Sequence, residues 1–298
     1  SAQVAATSAL ANQAGLLRPA QRLEVLGGRV GNAGGVLASM SGDLAVATTA
    51  GGLDNRAGRV HADRNLGITL QGAGNALDNA GGRITTLQGD VQLRTGAIDN
   101  ASGLVAAGAA LTIDTHGQGL ANRGSRSNDP AAPQGLIAGG AMQLRAGDID
   151  NRGGLVHAQD VALTATQLDN RAVGLIYSGE DARFAVSGSV FNAAGQLLAQ
   201  RQLSLQAGHV DNSEGLVRAG GDAALTAASL SNARTQGADQ GIEARNVQLA
   251  ADHIDNTLGA VRAAQGLTVR SDGRLANVQG QLSAGGTLGI EARQPRTP

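Results

Sequence analysis

The chain has 298 residues and not one cysteine. That excludes disulfide staples, thiolate–zinc sites and thiol catalysis, and leaves the compartment open. Tryptophan is also absent, and Tyr177, Phe184 and Phe191 are the only aromatic residues. An interior built from Ala, Val, Leu and Ile has no large rings to fill a thick core, so a thin core is expected. All 23 basic residues are Arg, against 24 acidic ones, for a net charge of −1. A near-neutral chain without basic clusters is a poor ligand for nucleic acid or an anionic membrane. No run approaches 18 consecutive apolar residues, so no helical span of a bilayer is expected. The opening Ser1-Ala2-Gln3-Val4 lacks the charged and apolar regions of a signal peptide, as in a mature product or an excised piece. Proline is scarce, at five residues, and no Gly-X-Y period runs through the chain, which excludes collagen.

Glycine is abundant instead: 45 residues, about twice the usual share. The other conspicuous feature is a repeat, and repeats outrank local propensity in deciding a fold. Each copy reads as an apolar residue, a variable residue that is often Asp, then Asn. The Asn residues are Asn12, Asn32, Asn55, Asn79, Asn100, Asn122, Asn151, Asn170, Asn192, Asn212, Asn232, Asn256 and Asn277, a mean spacing of about 22. Residues 193–212 show the unit. Leu197 and Ala199 flank Leu198, Leu203 and Leu205 flank Ser204, and Val210 precedes Asp211. Alternation of period two marks strands with one face inward. Gly and polar residues fall between the stretches, where the chain must bend. No stretch carries helical spacing.

Three short strands per 22 residues, repeated 13 times, predict an all-β, right-handed parallel β-helix over residues 1–298 as one repeat domain. Each coil would stack on the next at about 4.8 Å. Burying four or five aliphatic side chains yields roughly 1.5–3 kcal/mol each. Ordering a coil of about 22 residues costs at least about 1 kcal/mol per residue. A lone coil therefore cannot fold, and pairing between coils must supply the balance. The Asn column reads as a structural ladder. An amide donates and accepts, so stacked copies bond to one another. Asn also tolerates the left-handed backbone region at a bend. The Gly three residues later, as in Gly58, Gly82 and Gly103, fits a tight turn into the next strand.

The units LDNRAGRVHA, IDNASGLVAA, IDNRGGLVHA and VDNSEGLVRAGGDAALTA resemble the haemagglutinin repeats of filamentous haemagglutinin and its relatives. Those are long Gram-negative exoproteins exported by two-partner secretion. The resemblance covers nearly the whole chain. It implies a secreted or cell-surface β-helical shaft that mediates adhesion or presents a distal domain. The implied partners are an outer-membrane secretion partner and a receptor or glycan on a host or neighbouring cell. It departs from the family's secretion domains in having no Asn-Pro motif, and Arg-Gly-Asp is absent too. No toxin module is visible, and the end coils show no obvious cap, so neighbouring coils are expected.

Candidate sites divide into the repeat and its interruptions. Asp54, Asp78, Asp99, Asp150, Asp169, Asp211 and Asp255 precede the Asn of their units. Stacking would place Asp54, Asp78 and Asp99 in one column and Asp150 beside Asp169. Carboxylates about 5–5.5 Å apart resemble a retaining glycosidase pair. The other reading is a solvated charge column relieved by Arg56, Arg152 and Arg171. A catalytic site should break the repeat, whereas these residues are the repeat, so no catalytic residue is assigned. The histidines His61, His116, His157, His209 and His253 are scattered through different units, and no metal or cofactor is expected. Two insertions interrupt the period, at 123–134 and 233–240, and residues 292–298 form a tail. Insertions at one corner of a solenoid serve as binding surfaces or as tolerated loops. The partner-binding candidates are Arg123, Arg126, Asn128 and Asp129 in the first insertion, with Tyr177 and Phe191, which should point outward. Phe184 should point into the core.

Overall fold

A computed structural model describes residues 1–127 and 129–293. The chain forms two compact units, Ser1–Gln159 and Asp160–Pro298. No described residue lies in a helix, and every strand pairing is parallel. Both units are parallel β-solenoids, as the repeat predicts.

One coil of the first unit shows the construction. Strands Leu44–Thr48, Leu53–Asp54 and Arg59–Ala62 lie on three successive faces. Each pairs with its counterpart one coil away: Leu44 with Leu23 and Leu66, Leu53 with Leu77, Val60 with Leu37 and Ile84. In the second unit the strands grow longer and carry the pairing around the corners, as in Leu203–Asp211 and Asp222–Ser231. The register places like on like. Val25, Val46, Ile68, Leu93, Ile113 and Leu144 form one inward column, all buried. In the second unit Leu163, Phe184, Leu205, Leu225, Leu249 and Val269 do the same. Phe184 points inward as expected, and its strand places the smaller Ala182 and Val186 at the neighbouring inward positions.

The Asn residues form the ladder. In the first unit seven stack from Asn12 to Asn151, each Nδ2 donating to the next Oδ1 at 2.7–2.8 Å. In the second unit six stack from Asn170 to Asn277 in the same way. All those from Asn32 to Asn256 are fully buried. Among the described residues no buried side-chain nitrogen or oxygen lacks a partner.

Two details of the turn differ from expectation. The left-handed residue is not the Asn but the one two positions on: Ala14, Gly34, Ala57, Gly81, Ser102, Gly124 and Gly153, then Ala172, Ala194, Glu214, Arg234, Leu258 and Gln279. The Asn backbone stays out of the left-handed region, and its own N–H donates to the coil stacked on it, as Asn55 does to Asp78 O at 2.7 Å. The Gly three residues after the Asn is needed for close approach and not for a left-handed turn. A Cβ on Gly82 would lie 2.2 Å from Asn55 O and 2.5 Å from Asn79 Oδ1, and the equivalent glycines are equally crowded. Real Cβ atoms do not come that close, so the ladder carbonyl itself excludes a side chain there.

Candidate functional site

The outer face beside the ladder carries the charge. Parallel register puts Asp54 on Asp78 and Asp78 on Asp99. Arg56 spans two rungs of this column, 2.7 Å from Asp54 and 3.4 Å from Asp78. The next coil has Ala121 in the Asp slot, and Arg123 uses the room to reach Asp99 at 3.5 Å and Asp150 at 3.9 Å. Arg152 holds Asp150 at 2.7 Å and Arg171 holds Asp169 at 2.6 Å. These Arg side chains relieve the repulsion expected between stacked carboxylates.

The consequence for chemistry is direct. Hydrogen bonds from the Arg56 side chain hold the Asp54 carboxyl below the usual carboxylate range, and Arg152 does the same for Asp150. A glycosidase pair needs one carboxyl raised so that it can donate a proton. The column offers bound carboxylates instead. Asp150 and Asp169, stacked by the sequence reading, are each held by their own Arg. Among the described residues no three His, Asp or Glu side chains converge to hold a metal ion.

The loop candidates lie where the coil after Asn122 is interrupted. Arg123 is half-exposed and committed to the carboxylate column. The Arg126 backbone N–H donates to Gly153 O at 3.0 Å. Asp129 accepts from Ala131 N–H at 2.9 Å, and its own N–H donates to Ser127 Oγ at 3.0 Å. Asn128 lies outside the described residues. The second loop is tied down more heavily. Arg218 binds Asp239 at 3.0 Å and Glu243 at 2.8 Å, and Arg262 binds Glu243 at 2.8 Å and Gln240 O at 3.0 Å.

Tyr177 and Phe191 are close in sequence but on different faces of the coil. Tyr177 sits in Leu175–Ser178, beside Leu198, and accepts from Gln200 Nε2 at 3.0 Å. Phe191 sits in Ser189–Phe191, beside Asp211. The Arg171 guanidinium lies 5.2 Å from the Phe191 ring centre, and the His209 ring meets it edge-on at 6.4 Å. Both side chains point outward and are half covered.

The second unit also holds a shallow groove that residue types alone did not reveal. His209, Ser229, His253 and Arg274 stack in one register column, with Ser231 and Asp255 beside them. Ser229 and Ser231 form a low floor between two larger pairs, and His209 Nδ1 lies 2.6 Å from Ser229 Oγ. The first unit has a counterpart where Gly31 and Gly52 lie among Gln13, Arg29, Asp54 and Asp78. The signal for both was small residues in columns otherwise filled by larger ones.

The haemagglutinin-repeat family model matches residues 1–57, 41–124, 119–188, 181–242 and 242–293. The chain belongs to the haemagglutinin-repeat family. Its coils are those of a filamentous haemagglutinin-like shaft. A curated relative is the tRNA nuclease CdiA of Yersinia mollaretii, 34% identical over 161 residues. That match covers 49% of this chain and 5% of the relative, so the chain spans a small fraction of that protein's length. No solved structure matches the chain. Proteins with these repeats are secreted or cell-surface exoproteins of Gram-negative bacteria exported by two-partner secretion. No helix among the described residues is long and apolar enough to cross a membrane.

Proposed function

We propose that this segment is the adhesive or structural shaft of a large secreted haemagglutinin-like exoprotein, without enzymatic activity, that meets a receptor or glycan on a host or neighbouring cell. The observation that carries the reading is the uninterrupted Asn ladder of each unit, flanked by a carboxylate column whose charge is compensated by Arg. A regular column suits a spacer, and the loops supply what is unique along it. An outer-membrane transporter is the export partner in this proposal. The carboxylates work as a compensated charge column, so polysaccharide cleavage is disfavoured.

A second reading is favoured by the CdiA match: the stalk of a contact-dependent inhibition protein, which holds a toxin and a receptor-binding region away from the producing cell. The parent gene separates the two. A variable toxin-coding 3′ end followed by an immunity gene selects the stalk.

The test of adhesion uses the purified chain on a glycan array and on epithelial and red cells, beside a variant lacking residues 126–134. Saturable binding lost with the loop makes the segment an adhesin with its site there. Binding retained moves the site to a solenoid face. Absence of binding refutes adhesion by this segment and leaves a spacer.

A further inference from the structure

The two loops share a structural device that neither the repeat nor the family match records. In ten coils the third residue after the Asn is Gly, and in the coil of Asn170 one extra residue delays it to Gly174. Only the coils of Asn122 and Asn232 depart otherwise, with Ser125 and Thr235. These are also the two coils from which loops emerge.

In an ordinary coil the Gly does two jobs. Its N–H donates to the carbonyl of its own Asn, as Gly58 does to Asn55 at 2.9 Å. Its C=O accepts the first N–H of the following strand one coil on, as Gly58 does from Arg83 at 2.9 Å. In the loop coils a single hydroxyl does both. Ser125 Oγ donates to Asn122 O at 2.6 Å and accepts from Leu155 N–H at 3.3 Å. Thr235 Oγ1 donates to Asn232 O at 2.9 Å and accepts from Ala260 N–H at 3.0 Å. Both side chains are fully buried.

The backbone is thereby released from the turn. It runs on along the next coil, where Arg126 N–H donates to Gly153 O and Thr235 N–H to Leu258 O. The return is equally matched. Gly135 and Gly241 re-enter with φ of 106° and 107°, and their N–H groups donate to Gly103 O and Gly215 O at 2.8 Å. Those are the bonds the first residue of that strand makes in an ordinary coil. A Cβ on either glycine would lie 2.5 Å from a backbone oxygen of the next coil. Nine residues leave through the first gate, 126–134, and five through the second, 236–240.

We propose that Ser125 and Thr235 are loop-admitting positions, which let the solenoid display a surface segment of variable length without breaking the Asn ladder. The hydroxyl stands in for both halves of a peptide group. The pattern Asn-x-x-Ser/Thr, closed by a left-handed Gly, then marks where a repeat of this kind carries a loop. The one-residue bulge at Val173 gives the contrast. It has no hydroxyl, puts Ala172 and Val173 both at positive φ, and still closes through Gly174.

The test is a crossover at one position. With the loop present, Ser125→Gly removes the donor to Asn122 O and the acceptor for Leu155 N–H, and Tm should fall by roughly 4–8 °C. With residues 126–134 deleted, the ordinary turn returns and the preference reverses. There the Ser125→Gly form should melt near the intact chain, and the form retaining Ser125 should melt roughly 4–8 °C lower, because its Cβ meets the ladder carbonyl. The same four-variant set at Thr235, with residues 236–240 deleted, repeats the measurement in the other unit. If the first set does not fold, the second decides. Gly equal to or better than the hydroxyl residue in both backgrounds would overturn the proposal.

Discussion

Replacing the ladder residue Asn79 by Asp tests the ladder through pH. Asn79 Oδ1 accepts from Asn55 Nδ2 at 2.7 Å, and its Nδ2 donates to Asn100 Oδ1 at 2.7 Å, Leu104 O at 3.2 Å and Gly82 O at 3.3 Å. The Asn79→Asp carboxylate would keep the first bond and turn an acceptor toward three acceptors. Its hydrogen-bond partners in this buried column are amides and carbonyls, none of them a cation, so the folded state must hold it protonated. Holding an Asp of ordinary pKa about 3.9 neutral at pH 7 costs about 4 kcal/mol, at about 1.36 kcal/mol per pH unit. The protonated form regains one donor, which points to Asn100 Oδ1. Asn79→Asp should therefore lose about 4 kcal/mol at pH 7 and recover most of it by pH 4.5. The sign is that of a raised folded pKa: the unfolded chain loses its proton first, so stability falls as pH rises from about 4. Urea unfolding followed by far-ultraviolet circular dichroism at pH 4.5, 5.5 and 7 reads this directly. A deficit that is flat with pH, or that grows in acid, would refute the ladder as a hydrogen-bonded column.

Three further outcomes follow from the same geometry. Gly82→Ala should destabilise the first unit far more than Gly81→Ala, because a Cβ at 82 strikes Asn55 O at 2.2 Å while one at 81 meets only open space. The latter should cost about 1–2 kcal/mol for its left-handed backbone, and paired thermal melts compare them. Phe184→Ala should cost about 3–5 kcal/mol, since Phe184 is the largest fully buried side chain and its neighbours are pinned by parallel pairing. The Asp54 and Asp150 carboxyls have lowered pKa values, so their stabilisation is present above about pH 4 and fades as pH falls through the folded values. Arg56→Gln with Arg152→Gln should flatten that acid limb of the Tm–pH curve. An unchanged acid limb would show that the charge column does not couple to folding.

Much of this architecture was written in the sequence, because a solenoid repeats its own rules. Period-two alternation fixed which residues face inward. The recurrence of Asn at about 22 residues fixed which coils stack and predicted the ladder. The Arg two residues after an Asp announced the ion pairs at Asp54, Asp150 and Asp169. Legibility ended where the outcome depends on how one coil sits on the next. The left-handed residue proved to be two positions past the Asn, whose own N–H is committed to the neighbouring coil. The Gly at the third position looked like a turn residue, yet its reason is a carbonyl about 25 residues away in sequence, which would lie 2.2 Å from a Cβ there. Arg123 read as a loop residue, and the vacancy at Ala121 drew it into the carboxylate column. Tyr177 and Phe191 both read as outward-pointing partner-binding candidates, and the corner between their strands sends them to different faces. The substitution of Ser125 and Thr235 for Gly was visible in the letters but had no meaning until the strand one coil on supplied Leu155 N–H and Ala260 N–H. Composition and period thus determine the coil and its core, because those depend on spacing along one chain. The hydrogen-bond exchanges that open the coil to a loop depend on contacts between coils, and only the tertiary structure sets them.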